Sequence, residues 1–191
     1  MSLKKKSVLR DWVESLIIAF LMAMVIRTFV VQAFKIPTAS MRMTLLEGDL
    51  ILVNKFIYGA KIPFLNSSLP KVRFPKRGDV VVFIYPEDKK KDFIKRLVGL
   101  PGESVEIRGG SIYINDKPAQ EPVFNRIYYY NRGDFGAEEQ KIIVPKDSYF
   151  VLGDNSASSK DSRYWGFVPK NNLLGKALII YWPLNRMRIV K

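Results

Sequence analysis

Asp92-Phe93-Ile94-Lys95-Arg96-Leu97-Val98-Gly99-Leu100-Pro101-Gly102-Glu103-Ser104-Val105-Glu106-Ile107-Arg108-Gly109-Gly110-Ser111-Ile112-Tyr113-Ile114-Asn115 reads as three short extended runs divided by turn residues. Val, Ile and aromatic residues alternate with polar ones at the two-residue period of a strand. Gly109-Gly110 supplies the positive φ angles that a two-residue hairpin requires, and Pro101-Gly102 marks another turn. Outward from this stretch the same pattern recurs at 49–54 and 79–85, then at 141–144, 148–152, 177–182 and 188–190. The chain is therefore mostly β, an antiparallel β-sheet or partly closed barrel whose strands join through tight turns. No internal repeat or low-complexity tract interrupts it.

The strand signal weakens over 118–141, where polar and aromatic residues mix around Tyr128-Tyr129-Tyr130 and Gly133-Asp134-Phe135-Gly136. This is expected to be an inserted ribbon, its tyrosines lying on a strand surface or forming an interfacial belt. The stretch 58–75 carries several prolines with Ile62, Phe64, Leu65 and Leu69, and burial against the sheet is favoured over dipping into lipid.

At the other end, 12–34 is mostly apolar, with an uninterrupted run from Leu16 to Ile26. As one helix, 12–34 would reach about 34 Å, enough for a bilayer core. Arg27 lies off centre, where its stem can snorkel toward the headgroups. A cleaved secretory signal is the rival reading, with Lys4, Lys5, Lys6 and Arg10 as its basic start. Apolar character continuing through Phe29, Val30 and Val31 favours a retained transmembrane helix. The division is then a basic cytoplasmic N-terminus (1–11), a transmembrane anchor (12–34) and an extracytoplasmic β domain (35–191). The positive-inside rule puts the lysines in the cytoplasm and the domain on the outer face of the cytoplasmic membrane.

The 191 residues include 31 Lys and Arg against 18 Asp and Glu, a net charge of +13, with no histidine and no cysteine. Those absences exclude a histidine base, a thiol nucleophile and zinc sites built from His or Cys. No metal and no cofactor is expected. The basic residues are spread along the chain without a helix-turn-helix, zinc-finger or RNA-recognition signature, so nucleic acid is not the expected partner. A phospholipid surface suits both the charge and the anchor.

In Phe93-Ile94-Lys95-Arg96-Leu97, alternation sends Lys95 to the face of Phe93 and Leu97. A lysine on an apolar face either snorkels off the sheet edge or is desolvated, and these readings are evenly matched on pattern alone. Desolvation would lower its pKa and make it a usable base. Ser40, in Ile36-Pro37-Thr38-Ala39-Ser40-Met41 just past the apolar segment, is the candidate nucleophile. Taken singly, Thr38, Ser159 and Gly153-Asp154-Asn155 are ordinary turn and loop chemistry.

Together, Ile36-Pro37-Thr38-Ala39-Ser40-Met41, Gly48-Asp49-Leu50-Ile51-Leu52-Val53-Asn54-Lys55, Gly78-Asp79-Val80-Val81-Val82-Phe83, Lys95-Arg96 with Gly99-Leu100-Pro101-Gly102-Glu103, and Gly153-Asp154-Asn155 with Ser159 and Asp161-Ser162-Arg163-Tyr164-Trp165-Gly166-Phe167-Val168-Pro169 resemble the bacterial type I signal peptidase family. Order and spacing match along nearly the whole chain. The resemblance implies a serine endopeptidase that removes signal peptides from exported preproteins after Ala-x-Ala-like sites. It implies Ser40 as nucleophile, Lys95 as general base, the Thr38 hydroxyl with the Ser40 N–H as oxyanion hole, and Ser159 as the hydroxyl that orients the lysine. Asp161 and Arg163 match a supporting ion pair, with Arg96 in the same basic cluster. Phe34, Ile36, Met41, Leu45, Phe93 and Ile94 match residues lining shallow substrate pockets. Where the family usually has proline this chain has Met43, so the nucleophile's turn either loosens or is held by other contacts.

Two other classes compete. Self-cleaving repressors share a Ser/Lys dyad, but they carry a DNA-binding helical domain in place of an anchor. A non-enzymatic, membrane-tethered basic β module binding anionic lipid or polymer explains charge and anchor, but leaves Ser40, Lys95 and Ser159 without a role.

Overall fold

An extended segment leaves its backbone N–H and C=O groups open until a neighbour supplies partners, and the Val- and Ile-rich runs satisfy one another in this way. The computed structural model describes residues 8–59 and 70–191. Helix α1 (Val8–Val25) leads through a π-helical turn (Ile26–Val30) into strand β1 (Val31–Lys35). Next come β2 (Leu50–Asn54), β3 (Val80–Ile84), β4 (Asp92–Gly99), β5 (Ser104–Arg108), β6 (Ser111–Ile114) and β7 (Lys117–Pro118). After them follow β8 (Ile142–Ile143), β9 (Ser148–Leu152), the short helix α2 (Ser162–Trp165), β10 (Val168–Pro169), β11 (Leu173–Trp182) and β12 (Arg188–Ile189).

The strands form two sheets, the larger in the order β1-β2-β11-β3-β4-β9-β10 with β12 beside β11, the smaller β7-β6-β5-β8. Every pairing is antiparallel, so the mostly antiparallel β reading holds. The β5–β6 hairpin turns at Gly109 and Gly110, whose φ angles are 53° and 80°, the backbone that the glycine pair anticipated. β4 is central, and its residues from Ile94 to Gly99 are all buried. It bends at Gly99, where a Cβ would stand 2.6 Å from Val105 and 2.8 Å from Val144, so glycine lets the two sheets meet there.

The N-terminal segment corrects one expectation. Helical structure ends at Val30, and Val31–Lys35 pairs with β2, Val31 opposite Asn54 and Lys35 opposite Leu50. Sheet hydrogen bonds claim residues 31–34, which the sequence reading had assigned to the anchor. Among the described residues no helix is long and apolar enough to cross a membrane. α1 has 18 residues, about 27 Å of helix, and its first two turns carry Arg10, Asp11 and Glu14. None of its residues is buried, and Trp12, Leu16, Ile17, Phe20, Leu21 and Met24 all stand exposed. The lysines at 4–6 and the apolar residues at 62–69 lie outside the described residues.

The 118–141 segment contributes to the core of the smaller sheet. Phe124 and Tyr129 pack with Val105, Ile107, Ile112 and Phe150, whereas Tyr128 and Tyr130 are exposed. The tyrosine triplet thus alternates inside and outside. A second core gathers Ile36, Met41, Leu45, Ile51, Val80 and Ile180, and a third Val81, Phe83, Leu97 and Val151. The first-named residues of the second core hold the segment that carries Ser40.

Candidate active site

Ser40 sits on a single 3-10 turn (Ala39–Met41) entered from extended Thr38, at φ −133° and ψ 155°. Proline at 37 biases residue 36 toward extended backbone, so the chain arrives straight and then turns sharply. The turn closes through Arg42 N–H to Ala39 O at 3.1 Å, with Thr44 and Leu45 N–H both on Met41 O. Met41 and Leu45 are fully buried and peg it into the core beneath. From the other side Asn155 clamps it, its N–H donating to Ser40 O at 2.9 Å and its side-chain amide to Ala39 O at 3.0 Å. Met43, standing where proline was anticipated, is exposed. Other contacts hold the turn: Thr44 Oγ1 donates to Asp154 at 2.5 Å, and Arg188 donates to Thr44 O at 2.7 Å.

Strand β4 delivers Lys95 to this turn. Its side chain is 4% exposed, and its Nζ donates to Ser40 Oγ at 2.8 Å and to Ile94 O at 3.0 Å. The ring of Phe93 lies 5.3 Å from the same nitrogen. Burial brings the Lys95 pKa down from 10.5 to about 8, while the carboxylates of Asp161 and Asp154 pull the other way. Each of those carboxylates is itself neutralised by a buried arginine, which leaves desolvation in command. Near pH 7 about one Lys95 in ten is then neutral, against about one in 2,500 for a free lysine. Of the two readings left open by the strand pattern, the buried lysine is the one seen.

The remaining candidates divide. Thr38 Oγ1 stands 3.4 Å from Ser40 Oγ on the exposed side of the turn. Asp161 and Arg163 form a bidentate ion pair at 2.8 Å with neither side chain accessible. Asp161 also caps α2 and accepts the Gly153 N–H at 3.0 Å, tying the ion pair to the segment that clamps Ser40.

Arg96 departs from expectation. It lies on the opposite face of β4 from Lys95 and grips Asp154 through contacts of 2.7 and 2.5 Å, so it belongs to a separate buried pair behind the turn. Ser159 is buried close by, but its Oγ has no hydrogen-bond partner, and the anticipated bond to Lys95 is absent from this structure. Lys95 gives its described hydrogen bonds to Ser40 and Ile94 instead.

Ile36, Met41, Leu45 and Ile94 share one buried cluster with half-buried Phe34 at its margin. Met41 and Leu45 offer no open surface, so they support the Ser40 turn from beneath and cannot line a substrate pocket. Phe93 stacks on Tyr85 at 4.3 Å and meets Trp165 edge-on at 5.6 Å. Asp154 and Asn155 were singled out only as part of the resemblance, with no role given to them or to Thr44, because a Gly-Asp-Asn run looks like any turn until its partners 110 or more residues away come into view.

Gly153 is where the two halves touch. A Cβ there would stand 2.1 Å from Ser159 Oγ and 2.6 Å from Ser40 O. Gly153→Ala is expected to cost about 1–3 kcal/mol of stability, as overpacking does, and thermal unfolding measures it.

Comparisons with known proteins place the chain in a family. The family described as signal peptidase, peptidase S26, matches residues 9–182. The chain is similar to a protein named Signal peptidase I from Buchnera aphidicola subsp. Schizaphis graminum, with 37% identity over 88% of this chain and 73% of that one. It is also similar to Signal peptidase I of Leptolyngbya laminosa, with 37% identity over 96% and 85%, and to Signal peptidase I P of Bacillus subtilis subsp. natto, with 34% over 98% and 97%. A solved signal peptidase I from Enterococcus faecalis V583 is 35% identical, covering 55% of this chain and 97% of that one with a TM-score of 0.43.

Proposed function

Since the chain belongs to the signal peptidase family, peptidase S26, we propose that it is a membrane-anchored serine endopeptidase that removes signal peptides from exported preproteins. The observation that carries the catalytic reading is the 2.8 Å contact between buried Lys95 Nζ and Ser40 Oγ in a chain without histidine. Neutral Lys95 accepts the Ser40 hydroxyl proton as Oγ attacks the scissile carbonyl carbon. The oxyanion that forms is held by the Ser40 N–H and the Thr38 hydroxyl, donors commonly worth a few kcal/mol each. The protonated lysine then delivers its proton to the leaving amine. Water repeats the sequence on the acyl-enzyme and frees the new terminus, with Lys95 as base again.

Arg96–Asp154 ties β4 to the segment after β9, and Asp161–Arg163 braces that segment through the Gly153 N–H, so both act as positioning pairs. Ser159 orients Lys95 after a rotation of its hydroxyl, which has no competing bond to break. The preprotein lies extended beside Phe34 and Ile94, with buried Ile36 beneath them, and small side chains are favoured at the first and third positions before the cut. α1 and the apolar turn after it hold the enzyme in the cytoplasmic membrane, the β domain on the outer face. The support for this is a largely apolar helix none of whose residues is buried, the opposite of a surface helix with one buried stripe.

Purified in detergent, the full chain is expected to cut a preprotein carrying an Ala-x-Ala site, with a single new N-terminus after the second alanine. Ser40→Ala is expected to abolish that product. Unchanged cleavage by the variant, read by gel and N-terminal sequencing, would remove Ser40 from the mechanism.

A further inference from the structure

Behind the face of β4 that carries Lys95 lies a second opening. Neighbouring residues on a strand point to opposite faces, so while Lys95 reaches Ser40, Arg96 reaches the other way. Its guanidinium forms part of the wall of a cavity of about 560 Å³. That volume lies within the usual range of small-molecule sites, roughly 300–1,000 Å³. Apolar wall is supplied by Met43 from the nucleophile's turn, Val123 and Ile127 from the 118–141 segment and Ile189 from β12. Arg126, Arg188 and Lys191 line the same space.

The charges here do not balance. Arg96 is matched by Asp154. None of the ion pairs among the described residues includes Arg126, Arg188 or Lys191. Glu121, next to the cavity residue Pro122, is already held by Arg77 at 2.9 Å. Arg188 donates to Thr44 O, which uses one of its five N–H groups, and its charge also acts on Asp49, a carboxylate already paired with Arg186 at 2.8 Å. No acidic side chain lines the cavity. Lys191 O accepts from Arg96 at 3.2 Å, so that residue meets the cavity through its backbone as well. Cationic residues set beside an apolar wall favour a ligand with several anionic oxygens at one end and hydrocarbon at the other. Arginine forks suit a tetrahedral phosphate in particular.

We propose that this cavity binds a phosphate ester bearing an apolar chain, with the phosphate between Arg126, Arg188 and Lys191 and the chain along Met43, Val123, Ile127 and Ile189. A phospholipid headgroup and a soluble alkyl phosphate share that chemistry. The site is separate from the peptide groove, with the Ser40 to Leu45 turn and strand β4 standing between them. It requires nothing of the cleavage reaction.

The test uses the full chain in a neutral detergent, titrated calorimetrically with hexyl phosphate, inorganic phosphate and hexyl glucoside. Hexyl phosphate is expected to bind at least tenfold tighter than either of the others, and more weakly as salt is raised. The double variant Arg126→Gln/Lys191→Gln, its melting temperature unchanged without ligand, is expected to lose at least tenfold in affinity for hexyl phosphate. Binding by that variant within twofold of the parent overturns the proposal, as does hexyl glucoside binding as tightly as hexyl phosphate. Inorganic phosphate binding as tightly overturns the role of the apolar wall. Repeating the titration in nanodiscs identifies the source: phosphatidylglycerol discs that suppress hexyl phosphate binding, where phosphatidylcholine discs do not, assign the site to an anionic membrane lipid. Equal binding in both assigns it to a soluble ester.

Discussion

Lys95→Met is expected to leave a folded protein that cleaves preprotein about 10² to 10⁴-fold more slowly, the span that loss of a positioned general base commonly produces. Lys95→Arg restores nothing, because a guanidinium stays protonated at any working pH. In the parent, kcat/KM rises with pH through an inflection near 8, the value to which burial brings the Lys95 amine, and levels off above it. An inflection near 10 would contradict a desolvated base. The same substitution has a stability signature with a definite sign. The folded pKa lies below the unfolded one, so the folded state carries the full cost of a buried ammonium below pH 8 and sheds it as pH rises toward 10.5. The parent therefore gains up to about 3 kcal/mol relative to Lys95→Met across that window. Melting temperatures of the two proteins at pH 7, 9 and 10.5 measure it.

The second large effect concerns the ion pair behind the dyad. Asp161→Ala strands the fully buried Arg163 guanidinium and removes the acceptor of the Gly153 N–H. Breaking one side of a buried pair costs about 3–5 kcal/mol. In a protein of this size that corresponds to a fall in melting temperature of roughly 10 °C. Asp161→Asn keeps hydrogen-bonding capacity and tests charge alone. Because the Asp161 carboxylate raises the Lys95 pKa, its loss is expected to move the kcat/KM inflection below 8. A purely structural role for Asp161 would leave that inflection in place, which separates support of the fold from tuning of the base.

Strand positions were legible because the domain is built from short runs with strong β propensity and unambiguous turns, as at Gly109-Gly110. The strand period put Lys95 on an apolar face but left snorkelling and burial evenly matched, and it was the resemblance of the ordered motifs that singled it out as the base. The boundary at Val31 was not legible. Phe29, Val30, Val31 and Phe34 suit a helix in lipid and a paired strand equally, and the choice is made by β2, about twenty residues further on. Arg96 was grouped with Lys95 by its place in the chain, although adjacent strand residues face apart and only Asp154, 58 residues away, reveals which face it serves. Ser159 Oγ is buried without a hydrogen-bond partner, and the side-chain orientation that decides this is not encoded by any pattern of residue types.

The junction of helix and sheet has a mechanical meaning. Val30 ends the helical segment and Val31 is already hydrogen-bonded into β1, so no slack chain intervenes. β1 rises about 17 Å over its five residues and delivers the chain to Pro37 and the nucleophile's turn. Held in a bilayer by that helix, the domain could not swivel as a tethered enzyme does. A tilt of the anchor would become a rotation of the sheet, and membrane thickness would set the height at which Ser40 meets its substrate.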